Sequence, residues 1–157
     1  MEYLGEYSNR KVYWWDYATR NYNEWPAGNW ICFAMADKYP GVKEFSDFAV
    51  KAIEKRVLEF KAHGKCCEEL HDDFDLIVVI SEIDGNSSAT DIMTTWHNHD
   101  GIASVFWQCF HATCLPDDTN NNNLKIVCVD FDNNDKRGLL VGYLQMFESD
   151  WVPSDND

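Results

Sequence analysis

Apolar side chains recur along this chain in two alternating rhythms, and the alternation predicts a repeated strand-helix unit. Trp30 to Ala36 (W-I-C-F-A-M-A) is an unbroken apolar run bounded by Asp37 and the turn Tyr39-Pro40-Gly41, the pattern of a strand buried on both faces. Val42, Phe45, Phe48, Ala49, Ala52, Ile53 and Val57 then fall at spacings of three and four, while Glu44, Asp47, Lys51, Glu54 and Lys55 fill the other face. That spacing predicts an amphipathic helix of about four turns. Leu58, Phe60 and Ala62 alternate with polar neighbours up to His63-Gly64, a second strand. Cys67, Leu70, Phe74, Ile77 and Val78 return to helical spacing. Leu76 to Ile80 is rich enough in β-branched residues to be strand or helix. Helix over 65–82 is the reading adopted, because Gly85 offers a stop and a strand would need an antiparallel partner that the pattern lacks.

The stretch Asp91 to Cys114 reads as strand (Ile92 to Trp96), polar turn (His97 to Gly101) and helix (Ile102, Val105, Phe106, Cys109, Phe110), ended by Leu115-Pro116. After the polar connection Asp117 to Asn123 comes a last buried strand, Leu124 to Phe131, and then a helix over Leu139 to Phe147 weakened by Gly138 and Gly142. The expected fold is a single three-layer α/β domain. Four strands, numbered in the order just given, form a mostly parallel sheet of order 2-1-3-4 with helices on both faces. Residues 1–28 read as an aromatic arm with an edge strand at Lys11 to Trp15, or as an exposed contact surface anchored by Trp14 and Trp15. Residues 29–147 form the domain proper, and the acidic tail 148–157 is expected to fray.

Charge changes this picture more than composition does. Residues 1–63 carry nine acidic and nine basic side chains, so the net charge of −14 lies wholly beyond His63. A one-signed field of that kind repels nucleic acid and anionic membrane and steers basic partners toward the chain. No apolar run approaches the ~18 residues that span a bilayer, and the start M-E-Y-L-G-E-Y lacks the form of a secretory leader. A cytoplasmic setting is therefore expected, with Cys32, Cys66, Cys67, Cys109, Cys114 and Cys128 reduced.

In a parallel sheet all strand C-termini share one edge, so Asp37, His63, the turn His97, Asn98, His99 and Asp100, and Asp130 with Asp132 should gather there. Imidazole and carboxylate together suit a general base or a divalent metal. His97-x-His99-Asp100 does not fit a metallo-hydrolase spacing, and the reading preferred over a general base is that Asn98 and Asp100 cap the next helix. No phosphate loop of the G-x-G-x-x-G or G-x-x-x-x-G-K type is present. No cofactor and no metal is expected.

The segments H-G-K-C-C-E-E-L-H-D-D-F-D (His63 to Asp75), M-T-T-W-H-N-H-D (Met93 to Asp100) and V-F-W-Q-C-F (Val105 to Phe110) resemble a family of small uncharacterised bacterial α/β proteins, a domain of unknown function marked by T-T-W-H. The resemblance covers Trp30 to Asp132, implies helix over 65–82 and a bacterial cytoplasmic setting, and carries no activity. The functional expectation therefore rests on charge. A non-enzymatic module binds a basic protein through Glu68, Glu69, Asp72, Asp73 and Asp75, as an immunity or inhibitor protein neutralising a basic toxin such as a nuclease would. The alternative is a small hydrolase-like or ligand-sensing domain working through His63, His97, His99 and Asp100. Oligomeric state is left open.

Overall fold

The computed structural model describes residues 1–157. The chain runs β1 (Glu2–Tyr7), β2 (Arg10–Trp14), β3 (Trp30–Met35), α1 (Val42–Glu54), β4 (Val57–His63), α2 (Cys67–Ile83), β5 (Met93–His97), α3 (Ile102–His111), β6 (Lys125–Asp130) and α4 (Arg137–Glu148). The strands form one six-stranded sheet in the order β1-β2-β6-β3-β4-β5. β1 is antiparallel to β2, and all other neighbours are parallel. On one face, Phe45, Phe48, Phe60 and Phe74 fill the space beneath α1 and α2. On the other, Phe33, Phe106, Phe110 and Phe147 fill the space beneath α3 and α4. The layers are those the pattern predicts, and the segment 67–83, ambiguous by composition, is helix throughout.

The sheet departs from the expected four strands and their order. Ser8 and Asn9 both have positive φ, 49° and 60°, the backbone that a two-residue I′ hairpin turn needs. Glu2–Tyr7 thereby folds back on β2 as a sixth strand, a turn that a polar pair without glycine conceals. Among the four predicted strands the order is 4-1-2-3 rather than 2-1-3-4, and burial explains why. Every residue of Ile126 to Asp130 is buried, so β6 belongs inside the sheet; Met93 and Trp96 of β5 are 39% and 46% exposed, which suits an edge. From β3 the chain steps outward through β4 to β5 with α1 and α2 on one face. It then returns across β4 and β3 to β6 with α3 on the other face, as a constant crossover hand requires when direction reverses.

Trp14 and Trp15 are not contact surface. Neighbours on an extended chain point to opposite sides, so Trp14 enters the α3/α4 core and Trp15 the α1/α2 core, where it stacks on Tyr22 and lies 4.8 Å from Trp25. Both are buried. The tail is held as well: Trp151 stacks on Phe147, and the main-chain oxygens of Asp155 and Asp157 accept hydrogen bonds from Gly101, Ala103 and Ser104 at the start of α3. The chain's own tail thus takes the capping role expected of Asn98 and Asp100. Gly101 permits it, because a Cβ there would stand 1.8 Å from the Asp157 oxygen. No helix is long and apolar enough to cross a membrane.

Candidate functional site

The strand order divides the predicted edge residues into two groups. The first lies between the parallel neighbours β3 and β6, where the order in which the chain adds strands reverses. There the Asp132 carboxylate accepts the main-chain amides of Asp37 and Lys38 at 2.7 and 3.0 Å. Buried Asp130 receives the Lys136 ammonium at 2.6 Å and the Asp132 amide at 3.0 Å. Two consecutive amides of this kind form an anion-binding concavity, and here the protein's own carboxylate fills it.

The second group lies at the ends of β4 and β5, where His63 and His97 are register partners. Asp100 bridges them, its carboxylate 2.8 Å from His97 Nδ1 and its main-chain oxygen 3.1 Å from His63 Nε2. His99 is exposed and stands apart. Beneath α3 this cluster continues into two residues that sequence reasoning missed, Glu59 and Lys61. They form an ion pair of 2.8 Å at 1% and 2% exposure. Thr95 lies 3.4 Å from the Lys61 ammonium, and half-buried Arg10 donates to the Cys109 carbonyl at 2.5 Å. A signal for this row existed: residues 59, 61 and 63 are the polar side of an alternating strand, and a sheet covered on both faces leaves that side nowhere but under a helix.

Two buried atoms in this row have no partner, Glu59 Oε2 and His97 Nε2. Burial lowers the pKa of His97, opposed by its bond to Asp100 and reinforced by the nearby Lys61 ammonium. Burial also lowers that of His63, opposed by the Asp100 carbonyl. The folded protein therefore holds both rings neutral at pH values where the unfolded chain, titrating near its ordinary 6.5, takes up protons. Stability unaffected by these rings above that value is lost as pH falls below it, by at most about 1.4 kcal/mol per pH unit per ring. Thermal melts at pH 7.5 and 5.5 should show a smaller acid-induced drop in Tm for His63→Gln/His97→Gln than for the parent. An equal drop in both would show that the rings do not carry this dependence. Burial likewise raises the Cys32, Cys109 and Cys128 thiols, Cys109 to about 12, so none of them is a thiolate nucleophile at neutral pH.

The five carboxylates of α2 separate by role. Asp73 accepts the Tyr39 hydroxyl, which burial and that carboxylate hold protonated, and Asp75 accepts the Thr94 hydroxyl. These two tie α2 to its neighbours. Glu68, Glu69 and Asp72 stay exposed and, with Lys65, Cys66 and Asp73, surround a recess of about 430 Å³. His71 lies between Asp72 and Asp75 and packs against Trp96 of β5, with ring centroids 4.4 Å apart.

The family model described as a domain of unknown function, DUF7684, matches residues 12–146. The chain belongs to this family. The DUF7684 span opens in β2 and closes in α4, so it contains β3 to β6, the first three helices and both strand-end groups. β1 and the tail that caps α3 fall outside it. No curated protein and no solved structure matches the chain. The DUF7684 model carries no activity.

Proposed function

We propose that this DUF7684 chain is a non-enzymatic, acidic protein-binding module. In its most concrete form it is a bacterial cytoplasmic immunity or inhibitor protein that neutralises a basic toxin, such as a nuclease, by presenting carboxylates in place of nucleic-acid phosphates. One observation carries the reading. Glu68, Glu69 and Asp72 stand exposed around one recess at the start of α2, in a chain with no Lys or Arg from Cys66 through Leu124. The positive end of the helix dipole offsets part of the repulsion among them, and the field they project accelerates encounter with a cationic site.

The histidine reading finds less support. A general base needs a ring nitrogen within reach of a substrate proton, and the nitrogen that the His97–Asp100 pair leaves free is the enclosed Nε2.

The test is kinetic. Basic proteins retained from a bacterial lysate by the immobilised chain at low ionic strength are purified and their association rates measured. Reversal of Glu68, Glu69 and Asp72 to Lys is expected to slow association at least about tenfold at low salt, with the difference shrinking as screening rises. An unchanged rate at low salt would reduce the acidic face to a solvated surface.

A further inference from the structure

The acidic face of α2 does not end at Asp73; it changes character. Leu76, Val79, Ile80 and Ile83 are 57%, 49%, 48% and 79% exposed, and their spacing of i, i+3, i+4 and i+7 places them on one side of the helix, in line with Glu69 and Asp72. Leu70, Phe74 and Val78 occupy the buried side. α2 therefore has two apolar faces, and only one is used by the fold. An apolar stripe on the surface marks an interaction site, and its surroundings specify the partner. Glu69 and Asp72 lie at its N-terminal end, and Glu82 and Asp84 at its C-terminal end.

A second copy of this chain is a poor occupant. Antiparallel pairing that lays the stripe on its own copy sets Asp84 against Asp75 and brings the two acidic ends together, and parallel pairing sets each carboxylate against its own copy. Like charges are opposed either way. From this arrangement we infer that α2 is the docking face for an amphipathic helix of a basic protein, whose apolar stripe covers Leu76, Val79, Ile80 and Ile83 and whose Lys or Arg residues meet the carboxylates at both ends. This rests on the binding function proposed above and adds to it the apolar contact and the helical form of the partner segment.

The experiment uses the whole chain and two synthetic 18-residue peptides of identical leucine and lysine composition. One is ordered so that leucines fall at i, i+3, i+4 and i+7 of a helix, and the other is scrambled to abolish that stripe. Affinity is read by fluorescence anisotropy at low salt and the contact surface by amide chemical shifts. The ordered peptide should bind at least tenfold tighter than the scrambled one and shift residues 69–84. Leu76→Gln/Ile80→Gln should remove that advantage, and Ile83→Gln part of it, with Tm unchanged because the positions are exposed and glutamine keeps helix propensity. Equal binding of both peptides, lost only on charge reversal, would overturn the apolar docking face and leave the acidic reading standing. Failure of both peptides to bind would overturn the two together. A dimer of the chain alone, detected by sedimentation and dissolved by Leu76→Gln/Ile80→Gln, would assign the stripe to a second copy and overturn the inference.

Discussion

Replacing Lys61 with methionine should destabilise the protein by about 3–5 kcal/mol, the cost of leaving a buried charge without its partner. The Lys61 ammonium is 2% exposed and lies 2.8 Å from a Glu59 oxygen, and the other oxygen of that carboxylate has no hydrogen bond. Half-buried Arg10 is the remaining cation acting on Glu59, and it is itself bonded to the Cys109 carbonyl. With Lys61 gone, Glu59 would stay on the covered face of β4 without a counter-ion at bonding distance. The expected loss is a large share of the roughly 5–15 kcal/mol that holds a domain of this kind together. Urea unfolding followed by circular dichroism measures it. The companion variant Glu59→Leu/Lys61→Met removes both charges and should recover most of the loss, since a buried pair exchanged for apolar residues of similar volume is often neutral or better. A single variant as stable as the parent would mean that the pair is hydrated.

Gly64→Ala should cost about 3–5 kcal/mol, by adding backbone strain to a steric clash. Gly64 has φ of +108°, and a Cβ there would lie 2.3 Å from the Ala36 carbonyl oxygen and 2.8 Å from its carbon. These are main-chain atoms of the β3 terminus, so no side-chain rotation relieves the contact. The same carbonyl accepts the Cys66 amide at 3.2 Å, and the Ala36 amide donates to the His63 carbonyl at 2.9 Å. The close approach at Gly64 thus joins the end of β3 to the turn that launches α2, and through it sets where the acidic face begins. Gly85→Ala is the matched control. Its φ is +80° with nothing within 4 Å of the added atom, so it should cost only about 1–2 kcal/mol of backbone strain. Equal losses at the two positions would show that the Ala36 contact contributes nothing.

The alternating rhythms of the chain were enough to define the layers. The Trp30 to Ala36 run is β3, the three-and-four spacing from Val42 is α1, and the acidic residues interleaved with Cys67, Leu70 and Phe74 are the solvated side of α2. Local periodicity carries such information because burial of one side of an element is all that it records. For the same reason nothing in the spacing marked Leu76, Val79, Ile80 and Ile83 as exposed, since a sequence pattern cannot distinguish an apolar side chain covered by the fold from one left open.

Strand order is a different kind of fact, because it depends on which strand has both faces covered once all of them are assembled. β6 displaced β5 from the interior, and that one exchange moved Asp130 and Asp132 beside Asp37 and paired His63 with His97. It also placed the N-terminal hairpin against β6, turning Trp14 and Trp15 from possible anchors into core. The sequence by itself determined the element types from β2 onward, the three layers and a net negative charge that lies wholly beyond His63. Only the tertiary structure decided the burial of Glu59 with Lys61, the capping of α3 by the tail and the removal of Asp73 and Asp75 from the free acidic face. Each of these depends on contact between different elements, α3 over β4, the tail on α3, and α2 with Tyr39 and Thr94, and the spacing within one element does not say which other element covers it.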